Sequence, residues 1–315
     1  MEGHARTIFF GSGSFGLPVL DRLDDAGSVA LVAVVTAPAR PAGRSGEPRP
    51  TPVAQAASER GIPILMPSRL RDPVDLAALR ATAPDVIVLA DYGRLIPGAV
   101  LSLPPHGALN LHPSLLPRHR GASPVPAAIL AGDALTGVTL MRMDEGLDTG
   151  PIVATAEYAL RGDEVAPELE ARLAELAAGL LMASLPGWLA GTLEPRPQPS
   201  RGATLTRPLR REDGRLDARR PAFELERQVR AYQPWPGSFL EVDGERLIVW
   251  AATVDPTEPG DVAGAPGRGK LPGALVPAAD GVALLTGDGR LRLTEVQPAG
   301  GRRMSGTEFA RGRRL

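Results

Sequence analysis

The chain has 315 residues, of which 43% are hydrophobic and 23% charged, with a formal net charge of −1. That length accommodates two domains with cores of their own, and the composition is that of a globular protein. The absence of cysteine excludes a disulfide framework, a thiolate zinc site and a Cys nucleophile together.

The first apolar run, TIFF (Thr7–Phe10), feeds the glycine turn GSGSFG (Gly11–Gly16), and a helix candidate follows at Leu17–Asp25. Strand, G-x-G-x-x-G and helix are the opening of a dinucleotide site. Such a site also needs an acidic residue about 20 positions on, to hold a ribose hydroxyl. The second run, VALVAVVTAPAR (Val29–Arg40), ends without one, so no NAD is expected. The turn then has two readings, one in which its free N–H groups receive an anion and one in which it is purely structural. Further strand-like runs at Ile62–Leu65, Val86–Ala90 and Ala108–Leu111 alternate with helix candidates at Pro52–Arg60 and Val74–Ala81. Such alternation argues for a parallel sheet with covering helices. Runs at Gly137–Met143 and Pro151–Tyr158, joined by DEGLDTG, form a hairpin-like excursion. The segment after them places Leu169, Leu173, Leu176 and Leu180 on one helical stripe ending near Pro186 and Gly187.

From Thr192 to Arg210 the text is rich in Pro and Arg and is expected to be a linker. A helix over Pro221–Tyr232 and short β-prone runs at Ser238–Val242, Leu247–Val254, Gly281–Leu285 and Leu291–Val296 follow, which suggests a small β-barrel. The resulting division is 1–191, a linker at 192–210, and 211–315. From Thr192 onward there are 20 Arg and Lys against 16 Asp and Glu, so this part is basic while the rest is acidic. A basic second domain suits phosphate contacts. The beginning, MEGHARTIFF, has no signal-like pattern and no 18-residue apolar run occurs. A cytoplasmic protein without membrane contact is the expectation.

Three of the four histidines fall in HGALNLHPSLLPRHRG (His106–Gly121), which also holds the only asparagine, Asn110. Asn110 and His112 are two apart on a predicted strand, hence on one face, and Pro113 stops that strand at the lip where ligands of parallel sheets bind. A carboxylate pair follows in Asp144 and Asp148. An amide donor suits a developing oxyanion. An imidazole can carry a proton from an attacking amine to a leaving nitrogen, and a carboxylate can orient that ring. The set fits direct acyl transfer to an amine without a covalent intermediate and without a metal. His106 and His119, on loops, are not expected to be catalytic.

The stretches NLHPSLLPRHRGASP and GVTLMRMDEGLDTGPI resemble the folate-dependent formyltransferases. RPAGRSG (Arg40–Gly46), ADYGRLIP (Ala90–Pro97), REDGRLD (Arg211–Asp217), YQPWPGSF (Tyr232–Phe239) and LTEVQPAGGRRMSG (Leu293–Gly306) resemble the tRNA-acting branch of that family. The resemblance runs through nearly the whole chain. It implies a Rossmann-like α/β formyltransferase domain followed by a smaller OB-like β-barrel that binds tRNA. It further implies 10-formyltetrahydrofolate as formyl donor, the α-amino group of initiator methionyl-tRNA as acceptor, and a monomer. Carried over by position, Asn110 matches the oxyanion-stabilising asparagine, His112 the catalytic histidine, and Asp148, the carboxylate inside LDTG, its partner. Ser114, Leu115, Leu116 and Pro117 match the folate-lining loop, and Arg40 and Arg44 match residues that engage the acceptor arm. The chain departs from the family at Gly11-Ser12-Gly13, where relatives carry G-T-P, and around Gly46-Glu47, where they are basic. It departs again at His119, usually aromatic, and at Ala218, usually Trp.

Overall fold

The computed structural model describes residues 4–41, 47–255, 271–279 and 281–313. The chain divides into two compact units. The first comprises Met1–Pro124, Leu135–Ala159 and Leu169–Arg207; the second comprises Val125–Ala134, Leu160–Glu168 and Pro208–Leu315. None of the described helices is long and apolar enough to cross a membrane.

The first unit runs β1 (Ala5–Gly11), α1 (Leu17–Asp24), β2 (Val29–Val35), a two-residue ribbon of β3 (Arg40–Pro41) and β4 (Pro48–Arg49), then α2 (Pro52–Glu59), β5 (Ile64–Leu65) and α3 (Pro73–Ala81). The chain continues through β6 (Val86–Ala90), α4 (Gly98–Leu101), β7 (Ala108–His112), β8 (Arg120–Gly121), then α5 (Pro124–Ala131), all but the first residue of which belongs to the second unit. It returns through β9 (Leu135–Arg142), β10 (Ile152–Ala159), α6 (Ala166–Leu189), whose first three residues belong to the second unit, and β11 (Leu205–Thr206). Proline opens α1, α2 and α3 within the first two helical positions, where its missing N–H costs nothing. The seven-stranded sheet has the order β10-β9-β7-β6-β1-β2-β5. It is parallel from β7 to β5, while the β9–β10 hairpin joins β7 antiparallel. Ile8, Phe10, Val35, Ile87, Leu89 and Ala108 pack on one face against Leu79 of α3 and Val100 of α4. Their strand neighbours Phe9, Val34, Val88 and Leu109, which point the other way, are equally buried. Burial on both faces is why these strands read as unbroken apolar runs.

The stripe anticipated for α6 is rotated. Leu169 and Leu173 are buried, but the buried face continues through Ala174, Ala177, Ala178, Leu181 and Leu185, leaving Leu176 and Leu180 half-exposed. The small alanines allow close approach on that side, so the buried face is wider than the leucines alone mark. The helix runs through Pro186 to Leu189.

In the second unit, α7 (Ala222–Ala231) precedes β12 (Ser238–Val242), β13 (Glu245–Asp255), β14 (Leu275–Ala278), β15 (Gly281–Leu285), β16 (Arg290–Pro298), β17 (Met304–Ser305) and α8 (Gly306–Arg313). All pairings are antiparallel, in the order β12-β13-β16-β15-β14 with β17 on β16. An antiparallel β domain thus follows the α/β domain, in the order the sequence predicts. Its core joins Leu225 and Val229 of α7 to Val249, Leu284, Leu293 and Val296 of the sheet and Phe309 of α8.

Candidate active site

β7 carries the chemistry. It lies between β6, parallel, and β9, antiparallel, with Asn110 level with Leu89 and Met141 and His112 level with Thr139. Asn110 and His112 continue the face begun by Ala108, past the core and out to the carboxyl edge of the sheet. Asn110 is half-buried, and its amide has no hydrogen-bond partner among the described residues. His112 is only 5% exposed.

Both ring nitrogens of His112 have defined neighbours. The His119 carbonyl lies 2.9 Å from Nε2; a carbonyl can only accept, so Nε2 carries the proton and Nδ1 is the basic nitrogen of the neutral ring. Nδ1 faces Asp148 Oδ2 at 3.7 Å, too long for a hydrogen bond and close enough to stabilise a proton arriving there. Burial lowers the His112 pKa; the Asp148 charge and the His119 carbonyl oppose that effect without overcoming it. The ring is therefore a neutral base near pH 7.

The loops that hold these partners are built for close approach. Asp148 adopts a left-handed backbone, φ +51°, and its Oδ2 accepts 2.8 Å from the Gly121 N–H. A Cβ on Gly121 would run into the Thr206 carbonyl, and Gly121 has φ +98°, so glycine is required there. Asp144 serves the turn instead, accepting from the Gly146 N–H at 3.0 Å and from Thr149 Oγ1 at 2.8 Å. In the loop after β7, Thr139 Oγ1 donates to the Ser114 carbonyl at 2.7 Å and accepts from the Leu116 N–H at 3.0 Å. Ser114 Oγ donates to the Arg118 carbonyl at 2.6 Å. Ser114, Leu116 and Pro117 are buried, and of these four only Leu115 keeps appreciable surface. Ser114, Leu116 and Pro117 thus shape the loop, while Leu115 is the side chain it presents.

The segment 192–210, expected to be a linker, lies within the first unit as far as Arg207. Arg196 exchanges backbone hydrogen bonds with Ile152 at 2.7 and 2.8 Å, and β11 pairs with β8 in parallel. Between these anchors, Gln198 Nε2 donates to the carbonyls of Asp148 at 2.8 Å and Gly150 at 2.7 Å. Its Oε1 accepts from Arg120 Nε at 3.0 Å and Nη2 at 2.6 Å. Thr204 Oγ1 accepts the His119 N–H at 2.8 Å. Sequence reasoning missed Gln198 and Thr204 because nothing in a Pro- and Arg-rich stretch shows where its polar groups bond.

Of the two readings of the glycine turn after β1, the structural one holds. The N–H groups of Ser12 and Gly13 donate to the Asp91 carbonyl at 2.9 and 3.3 Å, and a Cβ on Gly13 would collide with the Asp91 carboxylate. Asp91 touches solvent, yet the surrounding protein and, second, the Glu170 carboxylate push its pKa up to about 6. These two amides are spent and an acid stands beside them, so the turn is not the anion cradle its pattern suggested. Arg44 lies outside the described residues, and Arg40 is described only as backbone in β3, level with Arg49.

The chain matches the formyl transferase family over residues 5–185 and the formyl transferase C-terminal domain over 208–314. The chain belongs to the formyltransferase family. Formyltransferase relatives extend over almost its full length. The methionyl-tRNA formyltransferase of Chloroflexus aggregans is 46% identical over 308 residues, 98% of this chain and 97% of that protein. Those of Myxococcus xanthus and Thermus thermophilus are 43% and 46% identical, each over 98% of this chain and 96% of the relative. Among solved structures, an N-formyltransferase from Helicobacter canadensis shares the fold with a TM-score of 0.67 at 14% identity, over 92% of this chain and 99% of that one. HypX from Aquifex aeolicus in complex with tetrahydrofolic acid has a TM-score of 0.60 at 19% identity, over 98% of this chain, which spans 47% of HypX. As a formyltransferase, the protein is an enzyme, and its Asn110, His112 and Asp148 lie together at the sheet edge.

Proposed function

We propose that the protein transfers the formyl group of 10-formyltetrahydrofolate to the α-amino group of methionyl-initiator tRNA, with Asn110, His112 and Asp148 as its catalytic residues. One observation carries the reading: an unpartnered amide stands two residues from a buried neutral imidazole whose basic nitrogen faces a carboxylate. Asn110 donates to the formyl oxygen as charge develops there, when the amine nitrogen adds to the formyl carbon. His112 Nδ1 takes the proton shed by that amine and delivers it to the folate nitrogen as the carbon–nitrogen bond to the donor breaks. Asp148 supports the transient imidazolium and is not itself consumed.

The donor supplies a formyl group already on nitrogen, and the residues beside the site suit a flat ring. Leu95 and Leu147 are 77% and 51% exposed. Their loops touch, since a Cβ on Gly98 would meet the Glu145 carboxylate. Leu147, next to Asp148, and Leu95 thus expose apolar surface on adjoining loops. The 208–315 segment, with 17 Arg and Lys against 15 Asp and Glu and an arginine-rich end, supports tRNA as the acceptor's carrier, as do full-length relatives named for that substrate. Arg40 and Arg44 stand as proposed acceptor-arm contacts on the strength of the sequence resemblance alone.

The test is formylation of charged initiator tRNA with 10-formyltetrahydrofolate, scored as N-formylmethionine after hydrolysis, with an amino-sugar nucleotide as rival acceptor. Turnover of the tRNA that falls steeply with salt supports the reading. Turnover of the sugar nucleotide alone refutes it.

A further inference from the structure

We infer that the strap from Arg196 to Thr206 holds both partners of His112 in place, with Gln198 as the positioning residue on the Asp148 side and Thr204 on the His119 side. The inference rests on the catalytic reading of His112 and Asp148 above. It is carried by how completely the strap's polar groups are committed to the two loops that flank the imidazole.

Gln198 spends its whole hydrogen-bonding capacity there. Its two amide hydrogens reach the carbonyls of Asp148 and Gly150, clasping the LDTG turn on both sides of Thr149. Its oxygen takes two bonds from the Arg120 guanidinium, and Arg120 is the neighbour of Gly121, whose N–H holds the Asp148 carboxylate. The backbone and carboxylate of Asp148 are thus tied to one cluster, which matters because its left-handed φ is a conformation an aspartate adopts only when its surroundings impose it. On the other side, Thr204 Oγ1 receives the His119 N–H, and the Thr204 carbonyl receives that of Arg120 at 3.0 Å. His119 also has a left-handed backbone, φ +56°. Its carbonyl is the acceptor that fixes the protonated nitrogen of His112. The Arg196–Ile152 bridge at one end and β11 on β8 at the other anchor the strap over this span. A surface linker has no need of such bonds.

The test uses Gln198→Met, which keeps length and charge balance and removes every hydrogen bond, in the full chain. Formylation of methionyl-tRNA is followed against pH, with Asp148→Asn and the double variant beside it. Loosening Asp148 is expected to lower kcat on the order of 10- to 100-fold, leave both KM values within about twofold, and move the acid limb of the kcat profile to lower pH. The double variant should be no slower than Asp148→Asn alone, because the two changes remove one effect. Thr204→Val, isosteric and independent of the LDTG turn, should also lower kcat with KM held. Gln198→Met within about threefold of the parent, an unmoved acid limb, or full additivity with Asp148→Asn overturns the inference. If Gln198→Met fails to fold, Thr204→Val decides, and parental kcat in that variant overturns it. An Asp148→Asn enzyme with the parental rate and pH profile would instead remove the catalytic reading beneath it, a distinguishable result.

Discussion

Replacing Asp148 by Asn changes one charge and almost no volume, so it isolates the electrostatic contribution of the carboxylate to the imidazolium. At the observed 3.7 Å between Nδ1 and Oδ2, a pair of unit charges with an effective dielectric of 20 attract by about 4 kcal/mol. His112 and Asp148 are only 6% and 14% exposed at their side chains, so solvent screening removes little. The transition state carries part of the positive charge, and a loss of roughly half to all of this stabilisation corresponds to about 30- to 10³-fold in kcat. The sign of the pH effect follows from the same contacts. His112 works as a base, so kcat rises with pH through its pKa, which burial already places below the ordinary value. Asp148 holds that pKa up, so without it the acid limb moves to still lower pH while the plateau drops. Single-turnover formylation between about pH 5 and 9, with both substrates saturating, measures both. A plateau within about threefold of the parent together with an unmoved limb would refute the assignment.

Asn110→Ala is expected to lower kcat by about 10²–10³ with the acid limb unmoved and the melting temperature unchanged, because its amide has no partner among the described residues; a fall in stability as large as the fall in rate would mark it as structural. Gly13→Ala should cost about 1–3 kcal/mol by driving a methyl into the Asp91 carboxylate. Adding Asp91→Ala should return most of that in a double-mutant cycle by denaturant unfolding, and simple additivity would deny the contact. Asp91→Asn tests the acid itself. A carboxyl at about 6 in the folded chain and 3.8 outside it binds more protons folded than unfolded between those values. Its cost to stability therefore grows as pH rises through that window and is complete above about 6. The variant should melt higher than the parent at pH 7.5 and equally at pH 3.5. Because solvent reaches Asp91, the gain is about 1 kcal/mol or less.

Where one physical signal dominates, the sequence is informative. Val86–Ala90 is apolar at every position because both its faces are covered, and its limits in the fold are those the run suggests. Helices α2 and α7 end within a residue of expectation because Pro and the polar flanks punctuate them. The pairing of Asn110 with His112 on one face follows from a period of two, whereas Asp148 enters through the family resemblance, since a left-handed turn residue 36 positions away leaves no periodic trace. Two things were out of reach for a definite reason. The strap's bonds are backbone, amide and hydroxyl contacts at separations of 44 residues or more, and composition is blind to them. The glycine turn obeyed a pattern that specifies shape, while its electrostatic sign is set by Asp91 and Glu170, which lie 78 and 157 residues from Gly13 in the chain.

The last crossing of the chain between the two compact units falls between Arg207 and Pro208, and the second unit also takes Val125–Ala134 and Leu160–Glu168, which bears on where the protein can be cut or recombined. A fragment ended at Gly191 would strip the LDTG turn of its clasp and hand the carbonyls of Asp148 and Gly150 to water. A chimaera that exchanges the carboxy-terminal half to recruit a different amine carrier must inherit residues through Arg207 from the same parent as β7. Grafts spliced fifteen residues earlier would swap in a foreign clasp along with the new recognition surface, and confuse altered specificity with a disordered base.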